Sequence, residues 1–416
     1  MALSGAAAGP PMVAPGDPAG AVSRALARLA KATTRRTGQA PALPDLRLLG
    51  ERAAVAGLVR QAPSSCGGAF RAVPARDGHV GLSLARRADL DLVPALVESD
   101  LLAEQVAALG PETERPPDWL WRSVADWAAT VEVADAVARA ELLGLPVAGV
   151  PPGDPPLQSD ASWADGVRIR RQGGGRSSPA VPLVVDLTAL WAGPLCAHLL
   201  GLSGCRVVKV ESLTRPDGAR RGPARFFDLL HGGHAMVALD LTTATGRRQL
   251  ADLIGRADLV LEGSRPRALR QWGIDAEAVV DAGISWLSIT ARGRDSDAVG
   301  FGDDVAVSAG LYVRDEHGTP TPCGDAIADP LTGVVAAAAA AESMTGPNAQ
   351  LIEVSMWHVA RATLIGATPS AHLVERRADG WWVEHDGGRT RVAAPWARRG
   401  ASVAGAVGAD NTTELR

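Results

Sequence analysis

VPLVVDLTALWAGPLCAHLLGLSGCRVVKVES, residues 181–212, sets the architecture of this chain. Its first and last parts, VPLVVDL and RVVKV, are runs of β-branched and aliphatic residues, which are typical of buried strands. A turn around Gly193 and Pro194 leads into a predicted helix from Leu195 to Leu202. A strand, a helix and a second strand in this order predict a βαβ unit, the building block of a parallel sheet.

The same alternation continues through the second half of the chain. The predicted strands are HAMVALDL (234–241), ADLVLE (257–262), ISWLSIT (284–290) and QLIEV (350–354), and helices are predicted at 245–254 and 266–272. Strands that alternate with helices indicate an α/β fold with a doubly wound parallel sheet. Ligands bind to such sheets at the C-terminal ends of the strands, where the loops gather.

Composition narrows the range of partners. Of the 416 residues, 21% are charged and the net charge is -4, which gives no electrostatic reason to expect nucleic acid or an anionic membrane. No apolar run has the length of a membrane span and the N-terminus lacks a secretory pattern, so we expect a cytoplasmic protein. The cysteines are scattered and are expected to be reduced, so neither a metal site nor a disulfide framework is predicted.

The segment TPTPCGDAIADPLTGVVAAAAAAESM, residues 319–344, contains the strongest candidate for catalysis. Pro330 suits the first position of a helix, which makes Asp329 the expected N-cap of a long alanine-rich helix. In that place the helix dipole favours an ionised carboxylate, which can act as a nucleophile near neutral pH. Taken alone, an Asp-Pro pair at a helix start is more often an ordinary cap.

The sequence also offers two other candidate ligand sites, one for a nicotinamide cofactor and one for a phosphate. A nicotinamide dehydrogenase would bind ribose through Glu211, at the end of the second strand, but the first turn reads TALWAGPLCAHL rather than GxGxxG. The arginines and glycines from Arg170 to Arg176 have donors for a phosphate, although such a composition more often forms a solvated, flexible joint.

Several motifs together resemble one known family. DLTALWAGPLCAHLLGLSGCRVVKVES is similar to the opening βαβ unit of the family III CoA-transferases (the CaiB/BaiF family), which have an "aGP" turn and end the second strand in Lys-x-Glu. VALDL, ADLVLEGSRPRALRQWGI, SWLSIT, VAVSAGL and GDAIADPLTGVVAAAAA follow in the order of the family. The resemblance covers roughly residues 181–357.

The resemblance implies a Rossmann-like sheet and a CoA-transferase that moves CoA from an acyl-CoA donor to a free carboxylic acid. In the family one aspartate becomes an acyl anhydride and then a CoA thioester, and the position that matches it is Asp329. Coenzyme A is then a substrate, and no tightly bound cofactor is expected. The implied partners are acyl-CoA, a small carboxylic acid and a second copy of the chain in an interlocked homodimer.

By position in the family, CoA is expected along the first turn, after the second strand and along the RPRAL element. The candidate contacts are Ala189, Leu190, Trp191, Ala192, Ser212, Gly263, Ser264, Ala268 and Trp272. The alternative interpretation is that these are ordinary core and loop residues. Lys209 and Glu211 are interpreted as a structural ion pair in preference to ligands.

Two departures from the family bear on function. Where members have basic residues before the VALDL strand, this chain has His231 and His234. Other cations would then have to meet the CoA phosphates, and the candidates are Arg215, Arg220, Arg221 and Arg225. Where the racemases of the family have a catalytic His, this chain has Asp303, which takes over that role only if its surroundings raise its pKa. An acyl-CoA racemase or isomerase and a non-catalytic CoA-binding protein remain as alternatives to a transferase.

The third departure is the order of the two halves. Segments similar to DGHVGL and GLPVAGV follow the nucleophile helix in the family, but here they precede the sheet, so the chain looks circularly rearranged. We divide it into a flexible extension (1–40), a smaller α+β domain (41–150), a linker (151–179), the large CoA-binding domain (180–365) and a C-terminal segment with a loose tail (366–416). Within the smaller domain, helices are predicted at 48–61 and 123–143.

Overall fold

The computed structural model describes residues 2–110, 113, 115–153, 160–175, 179–264, 266–366, 372–385 and 387–415, and of residues 266–268 it describes the backbone only. The elements before the large sheet are α1 (Pro18–Thr37), a 3-10 helix (Leu46–Gly50), α2 (Glu51–Ala56), β1 (Phe70–Ala75), β2 (Gly78–Ser83), α3 (Arg87–Val97), α4 (Asp100–Ala107), α5 (Asp118–Ala128), α6 (Val133–Leu143) and β3 (Val147–Val150).

The large sheet and its helices follow. They are β4 (Val167–Gly175), β5 (Leu183–Asp186), α7 (Ala192–Leu202), β6 (Arg206–Ser212), a 3-10 helix (Gly218–Arg221), α8 (Ala224–His231), β7 (Ala235–Leu239), α9 (Ala244–Gly255), β8 (Leu259–Glu262), α10 (Pro266–Gln271), α11 (Ala276–Asp281), β9 (Ser285–Thr290), α12 (Gly302–Ser308), β10 (Tyr312–Arg314), β11 (Pro320–Pro322), α13 (Ala328–Ser343), β12 (Asn348–Ser355) and α14 (Met356–Ala362). The C-terminal part adds β13 (Leu373–Arg377), β14 (Gly380–His385), β15 (Gly388–Arg391) and α15 (Asn411–Glu414).

The large sheet has the strand order β4-β12-β9-β8-β5-β6-β7. Its strands are parallel except for the edge strand β4, which runs antiparallel to β12. From β5 the chain builds outward to β7, and it then returns to the other side of β5 to form β8, β9 and β12. The strand order reverses between β5 and β8, which is where a doubly wound sheet opens a crevice for ligands. The predicted α/β fold with a doubly wound parallel sheet is confirmed.

Helices cover both faces of this sheet. Residues of α1, α7, α8, α13 and α14 share one apolar core with β5, β8 and β9, and residues of α9, α10 and α11 form the core on the other face. Gly333 of α13 allows α7 to approach closely, since a Cβ there would lie 2.6 Å from the Ala192 carbonyl oxygen. The start of α13 is therefore held beside the start of α7.

The smaller unit, formed by β1 to β3 and α3 to α6, packs against α12. Strands β1, β2 and β3 form an antiparallel sheet, and α3 to α6 supply the core on one of its faces. On the other face Phe70 and Val150 pack against Val307 of α12. The smaller unit therefore positions the helix that begins at Gly302 next to the start of α13.

The N-terminal segment differs from the predicted flexible extension. Within residues 1–40, α1 packs against α13, and Val22 and Leu29 are fully buried. Asp17 caps α1 by accepting the Gly20 N–H at 2.8 Å. The apolar residues of this alanine-rich stretch recur at helical spacing, and burial of that stripe against the large core stabilises the helix.

The predicted linker also contains regular structure. Residues 167–175 form β4, and its arginines are paired: Arg170 with Asp295 at 2.8 Å and Arg171 with Asp281 at 2.6 Å. These pairs engage the two guanidinium groups that the phosphate hypothesis uses, and Arg176 lies outside the described residues. An edge strand exposes one row of side chains, so arginines there are compatible with a sheet.

Smaller corrections concern the helices and the tail. The predicted helix 123–143 is two helices, α5 and α6, separated by a turn. The predicted helix 48–61 is a 3-10 turn followed by α2, which ends at Ala56 and is capped by Gly57. α7 begins three residues earlier than predicted, so the turn that precedes it is shorter. The expected loose tail is docked, because Asp410 and Asn411 accept the N–H groups of Met236 and Ala238 at 2.7 and 2.9 Å.

The four cysteines, Cys66, Cys196, Cys205 and Cys323, are buried free thiols. Within the described part of the chain, no helix is both long and apolar enough to cross a membrane, and no three His, Cys, Asp or Glu side chains converge as metal ligands.

Candidate active site

Asp329 lies in the first turn of α13. The helix begins at Ala328, because a turn closed by the hydrogen bond from the Asp329 N–H to the Ala326 carbonyl, at 2.9 Å, extends it backward. Asp329 is therefore not the N-cap, which corrects the prediction. Its Oδ2 accepts the Gly302 N–H at 3.1 Å, whereas Oδ1 has no hydrogen-bond partner among the described residues. The side chain is partly exposed, so this second oxygen is accessible.

Asp303, at the start of α12, binds back to the segment that precedes α13. Its Oδ1 accepts the Ala326 N–H at 3.1 Å, while Asp329 accepts the N–H of Gly302. Each aspartate satisfies a backbone donor at the start of the other's helix, where such donors have no partner within the helix itself. This exchange holds the two helix starts together.

A cation reaches these aspartates from the N-terminal half of the chain. Arg52, on α2, forms a two-pronged ion pair with the fully buried Asp325, through Nε at 3.0 Å and through Nη2. The carbon of the same guanidinium lies 5.0 Å from the ring centroid of Trp191, at the start of α7. Cys66 lies nearby and donates its thiol to the Gly324 carbonyl at 3.4 Å. Burial raises the pKa of this thiol, so it remains protonated.

Asp303, Asp304 and Asp329 are more difficult to ionise than an ordinary carboxyl group. Burial raises the pKa of Asp329 to about 7, which Arg52 opposes and Asp303 reinforces. Burial and the charge of Asp325 raise the pKa of Asp303 to about 6, and burial raises that of Asp304 to about 7. For Asp329 the rise corresponds to roughly 4 kcal/mol, whereas a helix dipole typically contributes only about 0.3–1 kcal/mol. Burial therefore outweighs the helix dipole at Asp329, and the carboxyl group ionises near neutral pH rather than well below it.

The first-turn candidates for CoA lie at the C-terminal end of β5, at the reversal of strand order. Ala189 and Leu190 are exposed, whereas Trp191 and Ala192 are buried at the start of α7. Leu190 has a φ of 71°, in the left-handed region, and its N–H donates to Asp217 Oδ1 at 3.0 Å. This contact helps to hold the turn in a conformation that non-glycine residues rarely adopt.

Three further candidates end neighbouring strands at the same edge. Ser212 is the last residue of β6, and Gly263 and Ser264 follow β8 and are exposed. A Cβ at Gly263 would lie 3.6 Å from the Thr188 side chain, so the turns after β8 and β5 adjoin. The structure therefore brings these candidates together with the first turn.

The last two candidates lie further along the chain. Trp272 follows α10 and packs, half-buried, against the core on the second face of the sheet. Ala268 lies within α10, and its side chain is outside the described part of the chain. Contacts of both residues with CoA stay predictions.

Lys209 and Glu211 do not pair with each other as predicted. Lys209 is fully buried, with its Nζ 3.0 Å from Asp217 and 3.8 Å from Asp186. Glu211 pairs with Arg220 at 2.6 Å. The charge of Lys209 is balanced by two carboxylates of the protein itself. This supports the interpretation of Lys209 as a structural residue in preference to a ligand.

His231 and His234, which stand where members of the family have basic residues, are uncharged near neutral pH. Burial lowers the pKa of His231 well below its usual range and that of His234 to about 4. The exposed arginines of the region are Arg215, Arg221 and Arg225. A Cβ at Gly218 would lie 3.6 Å from Arg221 Nη2 and 3.1 Å from Leu190 Cδ2, so a guanidinium lies beside the first turn.

Comparison with known proteins identifies the family. Residues 182–395, just over half of the chain, match the profile described as CoA-transferase family III. The chain belongs to CoA-transferase family III. It is 26% identical over 215 residues to the succinyl-CoA–D-citramalate CoA-transferase of Chloroflexus aurantiacus, which covers 46% of this chain and 54% of that protein.

Other relatives of this family III chain show a similar extent of match. The succinate–glutarate CoA-transferase of Agrobacterium fabrum is 27% identical over 205 residues, or 44% of this chain and 51% of that protein. The chain thus spans about half the length of these curated relatives. Among solved structures, a hypothetical protein from Mycobacterium tuberculosis is 27% identical and has a TM-score of 0.43, covering 48% of this chain and 63% of that one.

Arg52, the cation of the site in this family III chain, could hardly be found from the sequence. Arg52 lies 273 positions before Asp325, and no local pattern connects them. The available signal is weak: Arg52 follows Glu51 within the otherwise apolar stretch LLGERAAVAGLV. Asp325 lies four residues before Asp329 in the same quoted segment, but its burial is a tertiary property.

Proposed function

We propose that this chain transfers coenzyme A from an acyl-CoA donor to a free carboxylic acid, with Asp329 as the nucleophile. The observation that supports this most directly is the state of the Asp329 carboxylate. One oxygen is fixed by the Gly302 N–H, and the other is accessible and has no partner in the described part of the chain. A fixed carboxylate with one accessible oxygen has the geometry needed for attack on a thioester carbonyl.

The reaction proceeds through covalent aspartyl intermediates. The ionised Asp329 attacks the carbonyl carbon of the donor thioester, a C–O bond forms, and CoA leaves as its thiolate. The thiolate then attacks the Asp329 carbonyl and releases the donor acid, which leaves an aspartyl–CoA thioester. The acceptor carboxylate attacks this thioester, and the thiolate released takes the acceptor acyl group from the new anhydride and restores Asp329. The activation energy of the donor thioester is thereby retained in the product.

Coenzyme A is proposed to bind along the crevice between β5 and β8. The turn from Ala189 to Ala192, together with Ser212, Gly263 and Ser264, lies at this edge. Arg221 beside Leu190 is an exposed donor for phosphate.

The proposed assembly is the interlocked homodimer of the family, whose second copy would help to shield the anhydride from water.

A second candidate function is supported by the environment of Asp303. The sequence disfavoured an acyl-CoA racemase unless this aspartate had a raised pKa, and burial raises its pKa to about 6. With Asp329 at about 7, two carboxyl groups of suitable acidity lie at adjoining helix starts. Such a pair could remove and return the proton next to a thioester carbonyl.

Intact-protein mass spectrometry separates these functions. The purified protein is mixed with a panel of acyl-CoAs, including succinyl-CoA, and compared with Asp329→Ala and with Asp240→Asn, a carboxylate in a surface turn. The transferase predicts a covalent acyl or CoA adduct that is lost in Asp329→Ala and kept in the control. A racemase predicts no adduct but exchange of the α-hydrogen of the acyl group in D2O. Binding of CoA with neither result would show a non-catalytic protein.

A further inference from the structure

One edge of the Arg52 guanidinium is hydrogen-bonded to the protein, and the other edge has no hydrogen-bond partner among the described residues. Nε and Nη2 bind Asp325, whereas Nη1 has no hydrogen-bond partner among the described residues and is not enclosed by the protein. The side chain is 32% exposed. A guanidinium presents two forks, one formed by Nε and Nη2 and one by Nη1 and Nη2, and each matches a carboxylate. The second fork of Arg52 therefore remains available to a ligand.

An acceptor acid must overcome the negative charge of this site. It is an anion, and it has to approach the carboxyl groups of Asp303 and Asp325, since Asp329 is by then an uncharged CoA thioester. Like charges oppose such an approach unless a cation compensates them. The charge of Arg52 acts on both, because it pairs with Asp325 and opposes the rise in the pKa of Asp303. Arg52 is thus placed to attract a further carboxylate.

Arg52 also lies where the acid has to react. It is paired with Asp325, four residues before the nucleophile, and its guanidinium carbon is 5.0 Å from the Trp191 ring at the proposed CoA turn. Stacking on an aromatic ring limits the rotation of a guanidinium and favours two-pronged binding. The cation is therefore held between the segment that bears the aspartyl thioester and the turn that would hold CoA.

We propose that Arg52 binds the carboxylate of the acceptor acid through its open fork and makes the site selective for anionic acceptors. This inference rests on the proposed transferase function. The bound acid attacks the carbonyl carbon of the Asp329–CoA thioester; a C–O bond forms, the C–S bond breaks, and the negative charge passes from the carboxylate to the CoA thiolate. In the earlier step that forms the Asp329–CoA thioester, the donor acid is released from this same position at Arg52.

Steady-state kinetics with a varied acid test this inference. At a saturating acyl-CoA concentration, Arg52→Gln should raise the KM for the acceptor acid by about 10- to 100-fold, which is the value of a charge-assisted hydrogen bond. The rate of adduct formation from acyl-CoA alone, measured on the plateau above the pKa of Asp329 in each variant, should change much less, because that step needs no free acid. Arg52→Lys keeps the charge without the fork and should recover part of the affinity. Arg47→Gln, which removes an exposed arginine from the same segment, should match the wild type.

The double variant Arg52→Gln/Asp325→Asn provides a control for folding. Arg52→Gln alone leaves Asp325 buried without its cation, whereas the double variant removes both charges of the pair. An unchanged acceptor KM in the double variant and in Arg52→Lys would refute the inference. Loss of adduct formation from acyl-CoA, in a variant that unfolds at the wild-type temperature, would show that Arg52 acts on the nucleophile instead. Absence of adduct and of transfer in the wild type would refute the proposed function itself.

Discussion

Asp303 and Asp329 exchange backbone donors: Asp303 accepts the N–H of Ala326, three residues before Asp329, and Asp329 accepts the N–H of Gly302, the residue before Asp303. Both contacts are 3.1 Å long. The exchange joins the start of α12, which the smaller unit holds, to the start of α13, which lies on the large sheet. The orientation of the proposed nucleophile therefore depends on both units of the chain.

Substitution of Gly302 should disturb this orientation directly. A Cβ there would lie 2.2 Å from the Ala326 carbonyl oxygen and 2.5 Å from Asp329 Oδ2, so the backbone has to move. We expect Gly302→Ala to lower the rate of adduct formation by about 100-fold, the typical cost of a displacement of about 1 Å, and to destabilise the fold by about 1–3 kcal/mol. Single-turnover mass spectrometry and urea unfolding measure the two effects.

Gly255→Ala is the matched control, since a Cβ there would meet no atom within 4 Å. It should leave adduct formation unchanged. Equal losses in both variants would show that the Gly302 contact does not orient Asp329.

The pH dependence of adduct formation should report the pKa of Asp329. Only the ionised carboxylate attacks, so the rate should fall below about pH 7, tenfold for each further unit, and level off above it. The charge of Asp303 raises this pKa, so Asp303→Asn should shift the midpoint to lower pH. Asn keeps an oxygen to accept the Ala326 N–H. A midpoint that stays in place or moves upward in the variant would contradict this coupling.

Much of the fold was predictable because the parallel strands leave a clear pattern. β5, β6, β8 and β9 are buried on both faces, so their sequences are mainly apolar, and they are separated by helices with an apolar stripe. The N-terminal helix α1 and the C-terminal tail were misjudged because their Ala- and Gly-rich composition is shared with unstructured segments. Their order comes from packing against α13 and from hydrogen bonds to β7.

The candidate site was predictable only in part, because some of its properties arise from tertiary contacts. The proline after Asp329 and the alanines beyond it mark a helix start, and the family resemblance pointed to the same residue. Its raised pKa could not be predicted, because burial and the nearness of Asp303 arise only on folding. Arg52 was missed for the same reason, since its partner is distant in sequence.

Lys209 should prove essential for stability. It is fully buried between Asp217 and Asp186, so Lys209→Met would leave two buried carboxylates without a cation. We expect a loss of about 3–5 kcal/mol in the free energy of unfolding, measured with urea. Lys31→Met removes an exposed lysine of α1 and should have little effect. If Lys209→Met folds with normal stability but loses affinity for CoA, Lys209 is a ligand and the structural interpretation is wrong.

Arg221 should contribute to the affinity for the phosphates of CoA. Its Nη2 lies near Gly218 and Leu190, at the turn where CoA is proposed to bind, and its side chain is exposed. Because exposed ion pairs contribute up to about 1 kcal/mol, Arg221→Gln should raise the Kd for CoA by about 3- to 5-fold at low salt. The difference should shrink as ionic strength rises, since salt screens exposed charges. Isothermal titration calorimetry with Arg248→Gln as control, an exposed arginine of α9, tests this. Equal Kd values for the wild type and Arg221→Gln at low salt would mean that the phosphates are bound elsewhere.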